Sequence, residues 1–85
     1  MKIYRLVSYR HDKPEKRKEH SFNLNLYKAR KELLLYVIEH NRKAKEPEWL
    51  DIYGNMMLEF YHKVSINIWQ TDFHKICIEE LEVSE

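Results

Sequence analysis

The sequence predicts an α+β fold of order β-β-α-α-β-β: a four-stranded, mostly antiparallel sheet with two helices packed on one face. Three observations predict it. Period-two runs of β-branched and aromatic residues sit at both ends of the chain. Helical spacing without a breaker occupies the middle. The 85 residues are 44% hydrophobic and 34% charged, enough for one packed core but not two, so residues 1–85 read as a single domain.

Residues 2–9, KIYRLVSY, contain no breaker and read as a strand, with Tyr4 and Leu6 on one face and Ile3, Val7 and Tyr9 on the other. Residues 10–19, RHDKPEKRKE, hold no apolar side chain and read as a solvated turn. HSFNL then resumes the alternation with Phe22 and Leu24. The expectation is a hairpin of 2–10 against 19–24 with a long charged tip.

From Asn25 to Asn41 there is no Gly or Pro. Leu26, Ala29, Leu33, Val37 and His40 fall on one side of a helix, and Leu34, Tyr36 and Ile38 widen that stripe. Asn25 suits the N-cap, where its side-chain oxygen can accept an orphan backbone N–H. Arg42, Lys43 and Lys45 suit the negative C-terminal end. Pro47, Glu48 and Asp51 then fit the start of a second helix over 47–61. Trp49, Ile52, Tyr53, Met56, Met57 and Phe60 recur at helical spacing, with a break at Gly54 as the alternative.

In the last third, Val64, Ile66 and Ile68 alternate with Ser65, Asn67 and Trp69. Pairing Ile68 with Ile76 and Ile66 with Ile78 puts the isoleucines on one face and centres the loop on Asp72. Trp69 would then lie on the opposite face. Beyond Ile78 the phase slips: either a bulge at Glu79–Glu80 restores it or the strand ends there.

Composition excludes several classes. One glycine leaves no Gly-rich phosphate loop, and one cysteine leaves neither an internal disulfide nor a Cys-based zinc site. No window approaches the roughly 18 apolar residues of a membrane span. MKIYRLVSYRHDK lacks the apolar region of a signal peptide, so the expectation is a soluble cytoplasmic domain. His11, His20, His40, His62 and His74 are scattered, so no metal site is expected. His11 with His20, or His62 with His74, could meet only across a hairpin. Cys77 lies among Ile76, Ile78, Glu79 and Glu80, the opposite of an activated thiol's setting. No serine sits in a Ser–His–Asp pattern. The reading is no catalytic residue, no cofactor and no enzyme.

Charge is unevenly distributed. Residues 1–45 hold thirteen Lys and Arg against five acids, and residues 46–85 hold two against nine. Either the halves interleave in space and neutralise each other, or they stay apart and address an electrostatic partner. The basic set is Arg10, Lys13, Lys16, Arg17, Lys18, Lys28, Arg30 and Lys31. It suits nucleic acid or an acidic protein. The acidic and aromatic set is Glu79, Glu80 and Glu82 with Trp69. Eleven aromatics exceed what a small core commonly holds, and Tyr, Trp, Met and Arg are interface types. An open sheet face carrying Trp69 with Ile3, Val7 and Tyr9 would call for a partner or a second copy.

In size and in its Lys/Glu/Tyr-rich, glycine-poor character, the chain resembles accessory proteins of bacteriophages and mobile elements, anti-CRISPR inhibitors among them. That resemblance implies no functional residue. It implies a non-enzymatic, stoichiometric inhibitor or modulator of a larger host protein, with nucleic-acid-handling proteins among the candidate partners. Two alternatives stand beside it: a nucleic-acid-binding module using the basic hairpin and helix start, and a self-assembling structural protein, for instance a homodimer. No membrane partner is expected.

Overall fold

A computed structural model describes residues 1–44 and 60–84. The α+β class holds. Among the described residues the elements are β1 (Lys2–Arg10), β2 (Lys13–Asn23), α1 (Leu26–Lys43), β3 (His62–Ser65), β4 (Ile68–Gln70) and β5 (His74–Glu82). They form one helix and a five-stranded antiparallel sheet of order β2-β1-β5-β4-β3. The expected helix over 47–61 falls largely outside the described residues. Phe60 and Tyr61, at its end, belong to neither helix nor strand.

Four expectations about strands need correction. The charged run is not a long turn. The chain reverses at His11–Asp12, and residues from Lys13 onward continue as β2. Composition alone reads as a turn there, but pairing with β1 overrides weak propensity. Arg10 closes the reversal through Asp12, at 3.0 Å from Nε to Oδ1. Pro14 is tolerated because β2 is an edge strand.

The expected strand through residues 64–69 instead folds as a tight hairpin, with Ile66 and Asn67 between β3 and β4. Asn suits such a turn, and its backbone N–H donates to Ser65 Oγ at 3.3 Å. The register against β5 also slips by one residue: Ile68 opposes Cys77, Trp69 opposes Ile76 and Gln70 opposes Lys75. Thr71 sets it. Its hydroxyl accepts from the N–H groups of Phe73 and His74, and its own N–H donates to the His74 carbonyl. A one-residue slip moves side chains to the other face. Trp69 therefore joins Ile76 on the helix side, and Ile68 goes to the far side. No bulge interrupts β5 at Glu79–Glu80: Ile78 packs with the core, while Leu81 opposes Ile3 in unbroken register.

The helix follows its sequence closely. The Asn25 side chain accepts from the N–H groups of Tyr27 and Lys28, at 2.8 and 3.2 Å. Ala29, Leu33 and Val37 are buried, one turn apart. Leu34 and Ile38, expected in that stripe, are exposed instead. The core is Leu6, Leu33, Val37, Tyr61 and Ile76, with Tyr36, Trp69 and Ile78 packed against it. Each fully buried aliphatic contributes roughly 1.5–3 kcal/mol. Asn41 clamps the chain as it enters β3, accepting from the Tyr61 N–H at 2.9 Å and donating to its carbonyl at 3.2 Å. This fixes the β3–β4 hairpin relative to α1.

Candidate functional site

The two faces of the sheet treat their charges differently. On the face away from α1, Arg5 donates to Glu19 and to Glu79, each at 2.8 Å. Arg17 pairs with Glu79 as well, and its guanidinium lies 5.7 Å from the centre of the Tyr9 ring. These contacts, Arg17 first and then Arg5, hold the Glu79 carboxyl below its ordinary range. Val7 and Cys77 oppose each other beneath this network and are buried. Burial pushes the Cys77 thiol up, so it is packed rather than activated. The basic and acidic halves thus interleave here. The expected open patch of Ile3, Val7, Tyr9 and Trp69 does not form: Val7 is fully buried, Ile3 and Tyr9 are half-buried, and Trp69 lies on the other face.

The remaining acids of that set are paired too. Glu80 meets Lys2 at 3.4 Å, and Glu82 meets the N-terminal ammonium at 3.3 Å. The basic set scatters. Arg17 belongs to the far face, and Arg10 is tied to Asp12. Lys13, Lys16 and Lys18 are exposed along β2, and Lys28 is exposed in the first turns of α1. Lys16 and Lys18, with Arg10, border a cavity of about 320 Å³ whose other walls include Tyr9, Tyr36, Tyr61 and His74.

Beside that cavity, Ser8 Oγ lies 2.7 Å from His20 Nε2, and the imidazole packs on Tyr36 at 4.8 Å between ring centres. A register shift in β2 between Ser21 and Glu19 places His20 there. Burial first, and Lys18 second, hold His20 below its ordinary value of 6.5. A neutral imidazole so placed ties β2 to β1. The pairings considered for His11 and His62 do not form: His11 bonds the Thr71 carbonyl, and His62 opposes Gln70. Among the described residues no three His, Cys, Asp or Glu groups gather as metal ligands. Among them, too, no helix is long and apolar enough to cross a membrane.

A cavity of about 490 Å³ opens between α1 and the β3–β4 hairpin. Tyr27, Arg30, Lys31 and Leu34 line it from the helix, and Lys63, Ile66 and Trp69 from the hairpin. The helical four follow the i, i+3, i+4, i+7 pattern of one surface. Tyr27 is 77% exposed, Ile66 56% and Leu34 46%, so much of this lining is apolar surface left in water. Arg30 is held in place by Asn67, with Nε to Oδ1 at 2.9 Å. Lys63 stands across from Trp69 in register. Among the described residues the lining carries three cations and no acid.

The groove therefore unites residues drawn from both expected sets: Trp69 from the acidic and aromatic one, Arg30 and Lys31 from the basic one. Tyr27, Leu34, Lys63 and Ile66 belong to neither set. The helical pattern starting at Tyr27 was a usable signal for two of them. Nothing in the sequence pointed to Lys63, since its position depends on the hairpin turn.

No family model matches this chain, and comparisons with curated proteins and with solved structures return none that is similar.

Proposed function

We propose that this chain is a small non-enzymatic binding protein, a stoichiometric inhibitor or modulator. Its groove between α1 and β3–β4 would take an acidic, partly apolar segment of a larger protein. The observation that carries this reading is a groove with exposed apolar walls, rimmed by Arg30, Lys31 and Lys63 with no acid among its described lining residues. Apolar area supplies affinity, and the shared sign of the rim selects a negative partner. Tyr27 and Trp69 would serve a stacked base as well as a peptide, and it is the aliphatic walls Leu34 and Ile66, which offer no face for stacking, that favour protein over nucleic acid. The acids Glu79, Glu80 and Glu82 are each engaged within the chain, which favours a cationic contact surface over an acidic one. An inhibitory role of the anti-defence kind, exercised by covering a partner's surface, belongs to this proposal.

Direct nucleic-acid binding is a second reading. It is supported by the cavity where Arg10, Lys16 and Lys18 meet Tyr9 and Tyr36.

Selection from a random peptide display library separates the two, run beside anisotropy titrations with labelled single-stranded DNA and RNA. The groove reading expects enriched peptides that combine Asp or Glu with large apolar residues, and that no longer bind the Lys31→Glu/Lys63→Glu variant. Enrichment without acids contradicts it. So does tight nucleic-acid binding abolished by Lys16→Glu/Lys18→Glu with no peptide enriched.

A further inference from the structure

The two edges of the sheet are not alike. β2 carries Lys13, Pro14, Lys16, Arg17 and Lys18, the charges and proline that keep an edge from pairing with another chain. β3, at the other end, carries His62, Lys63, Val64 and Ser65, all exposed. Among the described residues its one strand neighbour is β4. Its lysine opposes Trp69 and lines the groove. One edge is therefore blocked over Lys13–Glu19, while the other borders a cationic, apolar channel with a helix as its far wall.

We infer that the acidic partner segment binds as an added strand on the free edge of β3, extending the sheet and sending alternate side chains into the groove. This rests on the groove reading above and names its mode. A strand's outward N–H and C=O groups offer main-chain hydrogen bonds to an incoming chain. Side chains of the added strand alternate between faces, so every second residue faces α1. There, apolar residues meet Trp69, Leu34 and Ile66, and carboxylates reach Arg30, Lys31 and Lys63. The hairpin is pre-set for this: Asn41 fixes the entry to β3, and Arg30 holds Asn67. On the side of the hairpin, little ordering is left to oppose binding.

The test uses the whole chain and a blocked peptide in which Glu, Phe, Val and Glu alternate with Thr. Each backbone amide of the peptide is methylated in turn. Strand addition predicts a period-two pattern, with alternate positions losing affinity ~10-fold or more and the others unchanged. It also predicts slower amide exchange within His62–Ser65 on binding. A peptide of the same composition, arranged as an amphipathic acidic helix, is the control. If the control binds in the groove and the alternating peptide does not, the strand mode falls and the groove reading stands. Binding of the alternating peptide without period two has the same meaning. If neither peptide binds, both fall. Peptide-independent slowing at β3 that rises with protein concentration would identify a second copy as the occupant and overturn the inference.

Discussion

Arg5 and Arg30 are both half-covered arginines on the sheet's surroundings, and they do opposite things. Arg5 shares its guanidinium between Glu19 and Glu79 over a buried valine. Arg30 is held by a neutral amide, beside Lys31, Lys63 and exposed apolar walls, with no carboxylate among the described residues that line the cavity. On the far face, charge is consumed by the fold. In the groove, charge is positioned and left for something else. Cationic character by itself thus says little about binding, whereas cations left without acids beside uncovered apolar surface say more.

The sharpest way to break this comparison is to remove charge from each region and measure stability. Glu79→Ala strips Arg5 of one acceptor while its Nε is already buried without a hydrogen bond. Denaturant unfolding is expected to show a loss of about 1–3 kcal/mol, the range for orphaning a partly buried charged group. Lys31→Ala in the groove is expected to stay within about 0.5 kcal/mol. Equal losses would mean that the groove cations also serve the fold.

A smaller effect comes from acidification. His20 binds its proton less tightly in the folded chain than in the unfolded one, so the unfolded state gains protons first. The His20 contribution should be constant above pH 6.5, and stability should decline as pH falls below it. His20→Gln should remove that first decline. Glu79 acts in the same direction lower down: its carboxyl is held below 4.5, so its contribution is lost as pH falls below that value. Melting temperature against pH, for the wild type and both variants, checks both steps. A His20→Gln curve that follows the wild type would contradict the first.

The smallest effect is expected at the edge. Lys13→Glu/Lys16→Glu should leave stability nearly unchanged, because both side chains are exposed and surface changes usually lie within about 0.5 kcal/mol. A marked loss of stability in the same unfolding measurement would give those lysines a part in the fold.

What the sequence disclosed follows from how local each signal is. Asn25 announces the helix start, and Ala29, Leu33 and Val37 announce its buried side, because capping and period act within a few residues. The strand at Lys2–Arg10 is legible for the same reason. The strand through Lys13–Glu19 was hidden, since its composition is that of a turn and its partners lie across the sheet. The register of β4 was hidden in one hydroxyl, Thr71, and that slip decides which face Trp69 takes. The groove was half visible. Arg30 and Lys31 stood out as basic residues. Their meeting with Lys63 and Trp69 depends on a turn at Ile66–Asn67 that alternation alone does not reveal.

The central claim is that the groove, and not the basic edge, takes the acidic partner. Its most direct test is an anisotropy titration of the labelled Glu/Phe/Val/Thr peptide against three proteins: the wild type, Lys31→Glu/Lys63→Glu, and Lys13→Glu/Lys16→Glu. Charges that touch the ligand are expected to matter far more than charges separated from it by more than the ~8 Å screening length. Binding is expected to weaken at least ~10-fold for the groove variant and less than about threefold for the edge variant. Equal losses, or a larger loss at the edge, would contradict it.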